Sequence, residues 1–401
     1  MSSSLIQTPR SDRLHIGIFG RRNAGKSSLI NSITGQGVSI VSALPGTTTD
    51  PVYKSMEIPG LGPCVFIDTA GYDDEGDIGS ARVESTRTVL QSTDIALLVT
   101  DGIDMQCDKV WLDILRGQNI PVIPVHSHTD ALNAGERHRS SEAIRKVFGQ
   151  VPLSAEDIRT GHCRGLFDTI LSMLPPDWEA KSITGGLCGT GDLVLLVMPQ
   201  DLQAPKGRLI LPQVQVIREL LDKGCAIMSC TAENMESALD SLSRNPRLII
   251  TDSQVFARVW PLKPADSLLT SFSVLMAGYK GDMQAFLNGA KALASLGPHS
   301  HVLIAEACTH APINEDIGRV KLPGILRSRF GQSLSVDIVS GKSFPEHLER
   351  YDLIIHCGGC MFNRRFMLSR IAKATEKGIP ICNYGVALAA LNGILDKIVH
   401  V

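Results

Sequence analysis

Short runs of consecutive apolar residues alternate along the chain with longer stretches in which apolar positions recur every three or four residues. That rhythm predicts strands buried on both faces, separated by amphipathic helices. His15 to Phe19, Val65 to Ile67, Ile95 to Thr100 and Pro121 to Val125 are the predicted strands of a first α/β unit ending near Leu174-Pro-Pro-Asp-Trp178. Lys181 to Gly191, rich in Gly, Ser and Thr, reads as a flexible linker. Strands follow at Leu193 to Met198, Ala226 to Ser229 and Leu248 to Thr251, with helices at Gln213 to Lys223 and Asn234 to Ser243. From Leu268 a long helix is expected to reach Leu296, ahead of strands at Val302 to Ala307, Ser335 to Val339, Leu353 to Ile355 and Ile379 to Cys382. The expectation is an α/β chain in three parts, residues 1–178, 183–267 and 268–401, the last two smaller and all with largely parallel sheets. No internal repeat or low-complexity tract interrupts it.

The 401 residues are 43% hydrophobic, enough for substantial cores, and carry a formal charge of −2. No overall basic field argues for nucleic acid or an anionic membrane as partner. Apolar runs such as Leu193 to Met198 fall far short of the roughly 20 residues that cross a bilayer, and Ser2 to Asp12 lacks the apolar centre of a secretory signal. A cytoplasmic location is expected, with the ten cysteines reduced. Cys64, Cys107, Cys163, Cys188, Cys225, Cys230 and Cys382 read as small hydrophobes.

Between the strand His15 to Phe19 and the helical run Lys26 to Ile33 lies Gly20-Arg-Arg-Asn23-Ala24-Gly25-Lys26-Ser27-Ser28, the context and spacing of a phosphate-binding P-loop. Its glycines let backbone N–H groups converge on phosphate oxygens, Lys26 adds positive charge, and Ser27 is placed to ligate Mg²⁺. Downstream, Pro45-Gly-Thr47-Thr48-Thr49-Asp50 is a candidate switch in which Thr48 closes on Mg²⁺. Asp68-Thr-Ala-Gly71 follows at a strand end, with Asp68 for the Mg²⁺ water shell and the Gly71 amide for the γ-phosphate. This order of segments predicts a GTPase domain. Ser127-His128-Thr129-Asp130 stands where such domains carry Asn-Lys-x-Asp; Asp130 still suits guanine, whose N1 and N2 donate, while Ser127 and His128 depart from the pattern. Ser154-Ala155 is the candidate backbone contact to the guanine oxygen. Tyr72 follows Gly71, where many switch GTPases place a water-positioning glutamine. Asn23 and the Gly-Thr-Thr-x-Asp switch resemble the potassium-activated branch of translation-factor-like GTPases. That resemblance implies K⁺ held by Asn23 beside the phosphates, and Lys26, Thr48 and Asn23 as the catalytic set.

A second chemistry sits near the end of the chain. Cys308-Thr-His310 and His356-Cys357-Gly-Gly-Cys360 each follow a predicted strand, so both fall at carboxyl ends, the edge where open α/β sheets bind ligands. Soft thiolates there suit an iron–sulfur cluster or zinc, and Gly358-Gly359 lets a short loop wrap one metal corner. Three cysteines fit a [4Fe-4S] cluster whose fourth iron takes a weaker ligand, His356 and His310 being the nearest candidates; Cys₃His zinc is the competing site.

This coupling of a C-x-H and H-C-x-x-C pattern to a P-loop resembles, over nearly the whole chain, the [FeFe]-hydrogenase maturation GTPase (HydF) family. The resemblance implies a GTPase domain, a central dimerisation domain giving a homodimer, and a cluster-binding domain with Cys308, Cys357 and Cys360 as ligands. It further implies a scaffold for the diiron precursor of the hydrogenase active site, supplied by two radical S-adenosylmethionine maturases and received by the apo-hydrogenase catalytic subunit. Two alternatives stand beside it: a ribosome- or tRNA-linked GTPase, and an iron–sulfur redox-sensing GTPase. Against the first, the C-terminal half has no Lys/Arg stripe with stacking aromatics, which make up only 5% of the chain.

Overall fold

The computed structural model describes residues 9–34, 51–58, 60–69, 86, 89–174, 181–199, 209–307 and 317–401. Thr47, Thr48, Gly71, Tyr72, Cys308 and His310 lie outside the described residues. The chain forms two compact units, residues 1–178 and 179–401.

In the first unit, β1 (Leu14–Gly20), β2 (Val52–Ile58), β3 (Gly62–Asp68), β4 (Ile95–Thr100), β5 (Val122–His126) and β6 (Leu153–Ser154) make one sheet ordered β2-β3-β1-β4-β5-β6. All pairings are parallel except β2 with β3. Period-two geometry divides the strand residues between two cores. Leu14, Ile16, Ile18, Phe66 and Leu97 pack on one face with Leu29 and Ile30 of helix Lys26–Thr34. Phe19, Val65, Ile67 and Leu98 pack on the other with Trp111 and Leu112 of helix Gln106–Gly117. β2 escapes a reading based on apolar runs because it is an edge strand in which Lys54, Ser55 and Glu57 interrupt the apolar positions.

The second unit holds two four-stranded parallel sheets. One is ordered β10-β9-β7-β8, from β7 (Leu193–Val197), β8 (Ala226–Cys230), β9 (Leu248–Thr251) and β10 (Leu268–Ser271). The other is ordered β12-β11-β13-β14, from β11 (His301–Glu306), β12 (Ser335–Ser340), β13 (Leu353–His356) and β14 (Ile381–Asn383).

Two expectations are corrected here. The long helix from Leu268 to Leu296 is instead β10 followed by helices Phe272–Lys280 and Met283–Lys291. Leu268 to Ser271 pair in register with Leu248 to Thr251. Ser271 then caps the first helix by accepting from the Val274 amide at 3.2 Å, and Asp282 caps the second by accepting from the Ala285 amide at 3.0 Å. A short strand buried on both faces and a buried helical turn share one apolar pattern, so periodicity could not separate them.

The stretch Lys181 to Gly191 is a packed strap rather than a flexible linker. Ile183, Thr184 and Cys188 are buried. The Glu219 carboxylate accepts from Ser182 Oγ at 2.9 Å, Thr184 N at 2.8 Å and Thr184 Oγ1 at 2.6 Å. Lys223 Nζ donates to Ser182 Oγ, Thr184 Oγ1 and the Gly185 carbonyl at 2.6 to 2.7 Å. The polar residues that suggested mobility are the ones that fasten it.

Candidate functional sites

The nucleotide loop leaves β1 at Gly20, whose φ of 155° is open to glycine; a Cβ there would stand 2.6 Å from the Val99 carbonyl oxygen. Asn23 is left-handed, with φ 60°, and the chain enters helix Lys26–Thr34 directly after Gly25. The buried Lys26 ammonium folds back over the loop, donating to the Gly20 carbonyl at 2.8 Å and the Arg21 carbonyl at 2.7 Å. Ser27 Oγ donates to Asp68 Oδ2 at 2.7 Å, and Asp68 Oδ1 is buried without a hydrogen-bond partner among the described residues. Burial raises the Asp68 pKa above the ordinary carboxylate value, opposed by the Ser27 hydrogen bond and the charge of Lys26. A hydroxyl and a carboxylate with an unspent oxygen form a hard donor pair that fits hydrated Mg²⁺. β1 and β3, paired from Leu14 with Cys64 to Ile18 with Asp68, bring the two together.

On the opposite rim, Ser127 and Thr129 are buried while His128 and Asp130 are exposed. His128 is left-handed, with φ 55°, and its Nε2 lies 3.0 Å from the Asn23 carbonyl oxygen, so this nitrogen carries the hydrogen and donates. The residue that departs from the usual lysine thus braces the phosphate loop. Asp130 is 3.8 Å from Arg159. Ser154 caps helix Ala155–Arg159, accepting from the Asp157 amide at 3.3 Å.

In the second unit, β13 ends in His356 and delivers Cys357-Gly-Gly-Cys360 to the carboxyl edge of its sheet. The turn needs Gly359, whose φ is 56° and whose Cβ would collide with Met367 Sδ. Cys357 Sγ accepts the Ala307 amide at 3.0 Å, which favours a thiolate at the strand end. Lys280, almost wholly buried, donates to the Cys360 carbonyl at 3.1 Å and the Phe362 carbonyl at 2.9 Å.

His356 is fully buried between two partners: Arg370 donates to its Nε2 at 2.9 Å, and Nδ1 donates to the Cys357 carbonyl at 2.7 Å. Burial first, then the Arg370 charge, lowers its pKa to about 3, so the ring is neutral. With both nitrogens engaged, His356 supports the loop rather than offering the free lone pair expected of an iron ligand. Among the described residues no cluster of three or more His, Cys, Asp or Glu could hold a metal ion. The two described cysteines of the expected set are brought together, and Cys308 lies outside the described residues.

Cys357 to Cys360 also line a cavity of about 220 Å³. It is walled by Ser253 and Ser273, which follow β9 and β10, by Glu306 at the end of β11 and by Tyr384, which follows β14. Two parallel sheets thus turn carboxyl edges toward one chamber, which sequence alone could not foresee because the two edges are brought face to face only by the fold.

Comparison with known families matches residues 183–281 to the hydrogen maturase F dimerization domain and residues 284–401 to the hydrogen maturase F tetramerization domain. Residues 15–128 match a family described as 50S ribosome-binding GTPase. The chain is 40% identical over 139 residues to GTPase Der of Kosmotoga olearia, covering 32% of this chain and 30% of that protein. It is 32% identical over 147 residues to tRNA modification GTPase MnmE of Heliobacterium modesticaldum, covering 36% and 30%. The chain therefore spans under a third of the length of these curated relatives. Among solved structures, an Aquifex aeolicus Era variant bound to GDP and aluminium fluoride aligns over 54% of this chain and 92% of its own, at 21% identity and TM-score 0.35.

Proposed function

The chain belongs to the hydrogen maturase F family, and from that premise we propose that it is a GTPase carrier on which the diiron precursor of [FeFe]-hydrogenase is held and from which it is delivered. Its GTPase domain supports GTP hydrolysis with Mg²⁺, and its two family domains support self-association. The observation that carries the proposal is the Cys357 to Cys360 loop on the rim of a chamber in the same chain as a complete P-loop.

At the nucleotide site, Lys26 neutralises phosphate oxygens, Ser27 and Asp68 order Mg²⁺ and its water, and Thr48 and Gly71 report the γ-phosphate. Gly20, Ala24, Gly25, Ser28 and Thr47 supply backbone contacts, while Asp130, Ser154 and Ala155 read guanine. Asn23, held by His128, offers K⁺ a site beside the phosphates. GTP turnover is accordingly expected to be several-fold faster in K⁺ than in Na⁺, measured by phosphate release at fixed Mg²⁺; equal rates would remove Asn23 from that role.

At the other site, Cys308, Cys357 and Cys360 would hold a [4Fe-4S] cluster. When bound, it supplies an iron corner that can take an exchangeable ligand. The fit rests on soft donors and on the backbone N–H already given to Cys357. A fourth ligand from His356 would first have to release Arg370, whereas His310 is the other candidate. Two radical S-adenosylmethionine maturases would supply the diiron unit and the apo-hydrogenase would receive it, with the protein acting as a cytoplasmic homodimer or higher assembly. Anaerobic reconstitution with iron and sulfide tests the metal. A [4Fe-4S] EPR signal after reduction is expected, and an iron-free, zinc-loaded product would overturn the assignment.

A further inference from the structure

Helix Arg364–Glu376 places Arg370 beneath the Cys357 to Cys360 loop, where it is 2% exposed. One amino group donates to His356 Nε2 at 2.9 Å, and the other to the Gly341 and Ser343 carbonyls at 2.8 and 3.1 Å. The Phe344 and Phe366 rings lie 4.9 and 4.4 Å from its Cζ, while Nε has no hydrogen-bond partner among the described residues. No carboxylate lies within ion-pair distance of it among the described residues, and the imidazole of His356, which accepts from it, supplies no negative charge. The guanidinium is cationic at neutral pH, as an arginine side chain is in proteins generally.

A buried ion without a counter-ion costs several kcal/mol even after relaxation. Carbonyls and aromatic faces offset part of that cost and supply no opposite charge. Among the described residues the opposite charge has one evident source: a metal–thiolate group held on Cys357 and Cys360. We propose that Arg370 is the built-in counter-charge of the anionic group bound at this loop, and that it raises the reduction potential of that group. The proposal rests on the cluster reading given above. One-electron reduction of a thiolate-bound cluster adds negative charge to a site already anionic, and a fixed cation close by stabilises the reduced form more than the oxidised form. The same guanidinium, through His356, pins the Cys357 carbonyl, which makes Arg370 a positioning residue as well as an electrostatic one.

The test uses the full-length protein as wild type, Arg370→Lys and Arg370→Met, each reconstituted anaerobically with ferrous iron and sulfide. Iron and sulfide are counted, and the midpoint potential is read by EPR during a mediated titration in which dithionite supplies one electron per cluster. Arg370→Met is expected at a more negative potential than wild type, with Arg370→Lys between them. Cluster loading should also raise the melting temperature of wild type more than that of Arg370→Met, a difference that a purely structural arginine would not produce. If the methionine variant fails to load while the lysine variant loads, the counter-charge is equally supported. Equal potentials and equal gains on loading, at full cluster content in all three, would overturn the proposal and leave the cluster reading intact. A wild-type protein that takes up no cluster would instead remove both.

Discussion

Replacing Lys26 with alanine is expected to lower GTP turnover by roughly 100-fold or more, the scale on which removing one pre-positioned electrostatic group acts. Its ammonium is buried over the loop and held at 2.8 and 2.7 Å by the Gly20 and Arg21 carbonyls, so it is oriented before the nucleotide arrives. Ser27→Ala should also abolish most turnover, because it removes the hydroxyl that binds Asp68 Oδ2 and would ligate Mg²⁺. Phosphate release at fixed Mg²⁺ and K⁺ gives the rate, and iron content after reconstitution should match wild type in both variants. Undiminished turnover in Lys26→Ala would place the nucleotide elsewhere.

Cys357→Ser and Cys360→Ser are each expected to lose most of the reconstituted iron and sulfide. A serine hydroxyl is a hard, weakly acidic substitute for a soft thiolate. At Cys357 the loss has a second component, since the sulfur accepts the Ala307 amide at 3.0 Å. Cys308→Ser should behave in the same way. Cys107, exposed on helix Gln106–Gly117 of the GTPase domain, provides the contrast: Cys107→Ser should retain the full cluster. Wild-type iron in Cys357→Ser would exclude that sulfur as a ligand.

The sequence makes the central strands of all three sheets legible because each is dominated by apolar residues that must be buried on both faces. The P-loop is equally legible, since the spacing of Gly20, Gly25, Lys26 and Ser27 is itself the geometry that phosphate requires. The two edge strands of the first sheet are harder. β2 carries Lys54 and Glu57, and β6 is only two residues long, so neither produces a strong pattern. β10 was hidden by a pattern it shares with a buried helix, and the strap at Lys181 to Gly191 by a composition that usually signals mobility. At the Cys357 to Cys360 loop the cysteines stand out through their spacing. His356 could not be assigned from spacing, because its role depends on Arg370, fourteen positions away and brought to it only by helix Arg364–Glu376. His128 carries the same lesson: its contact with the Asn23 carbonyl spans 105 positions.

The measurement closest to the central claim is transfer of the diiron unit. The protein, isolated anaerobically after co-expression with both radical S-adenosylmethionine maturases, is mixed with apo-[FeFe]-hydrogenase, and hydrogen evolution is followed with reduced methyl viologen as electron donor. Activity that depends on the maturases and is lost in Cys357→Ser is the predicted result. An apo-hydrogenase that stays inactive, although the protein offered to it is shown to carry its cluster, would contradict the carrier role.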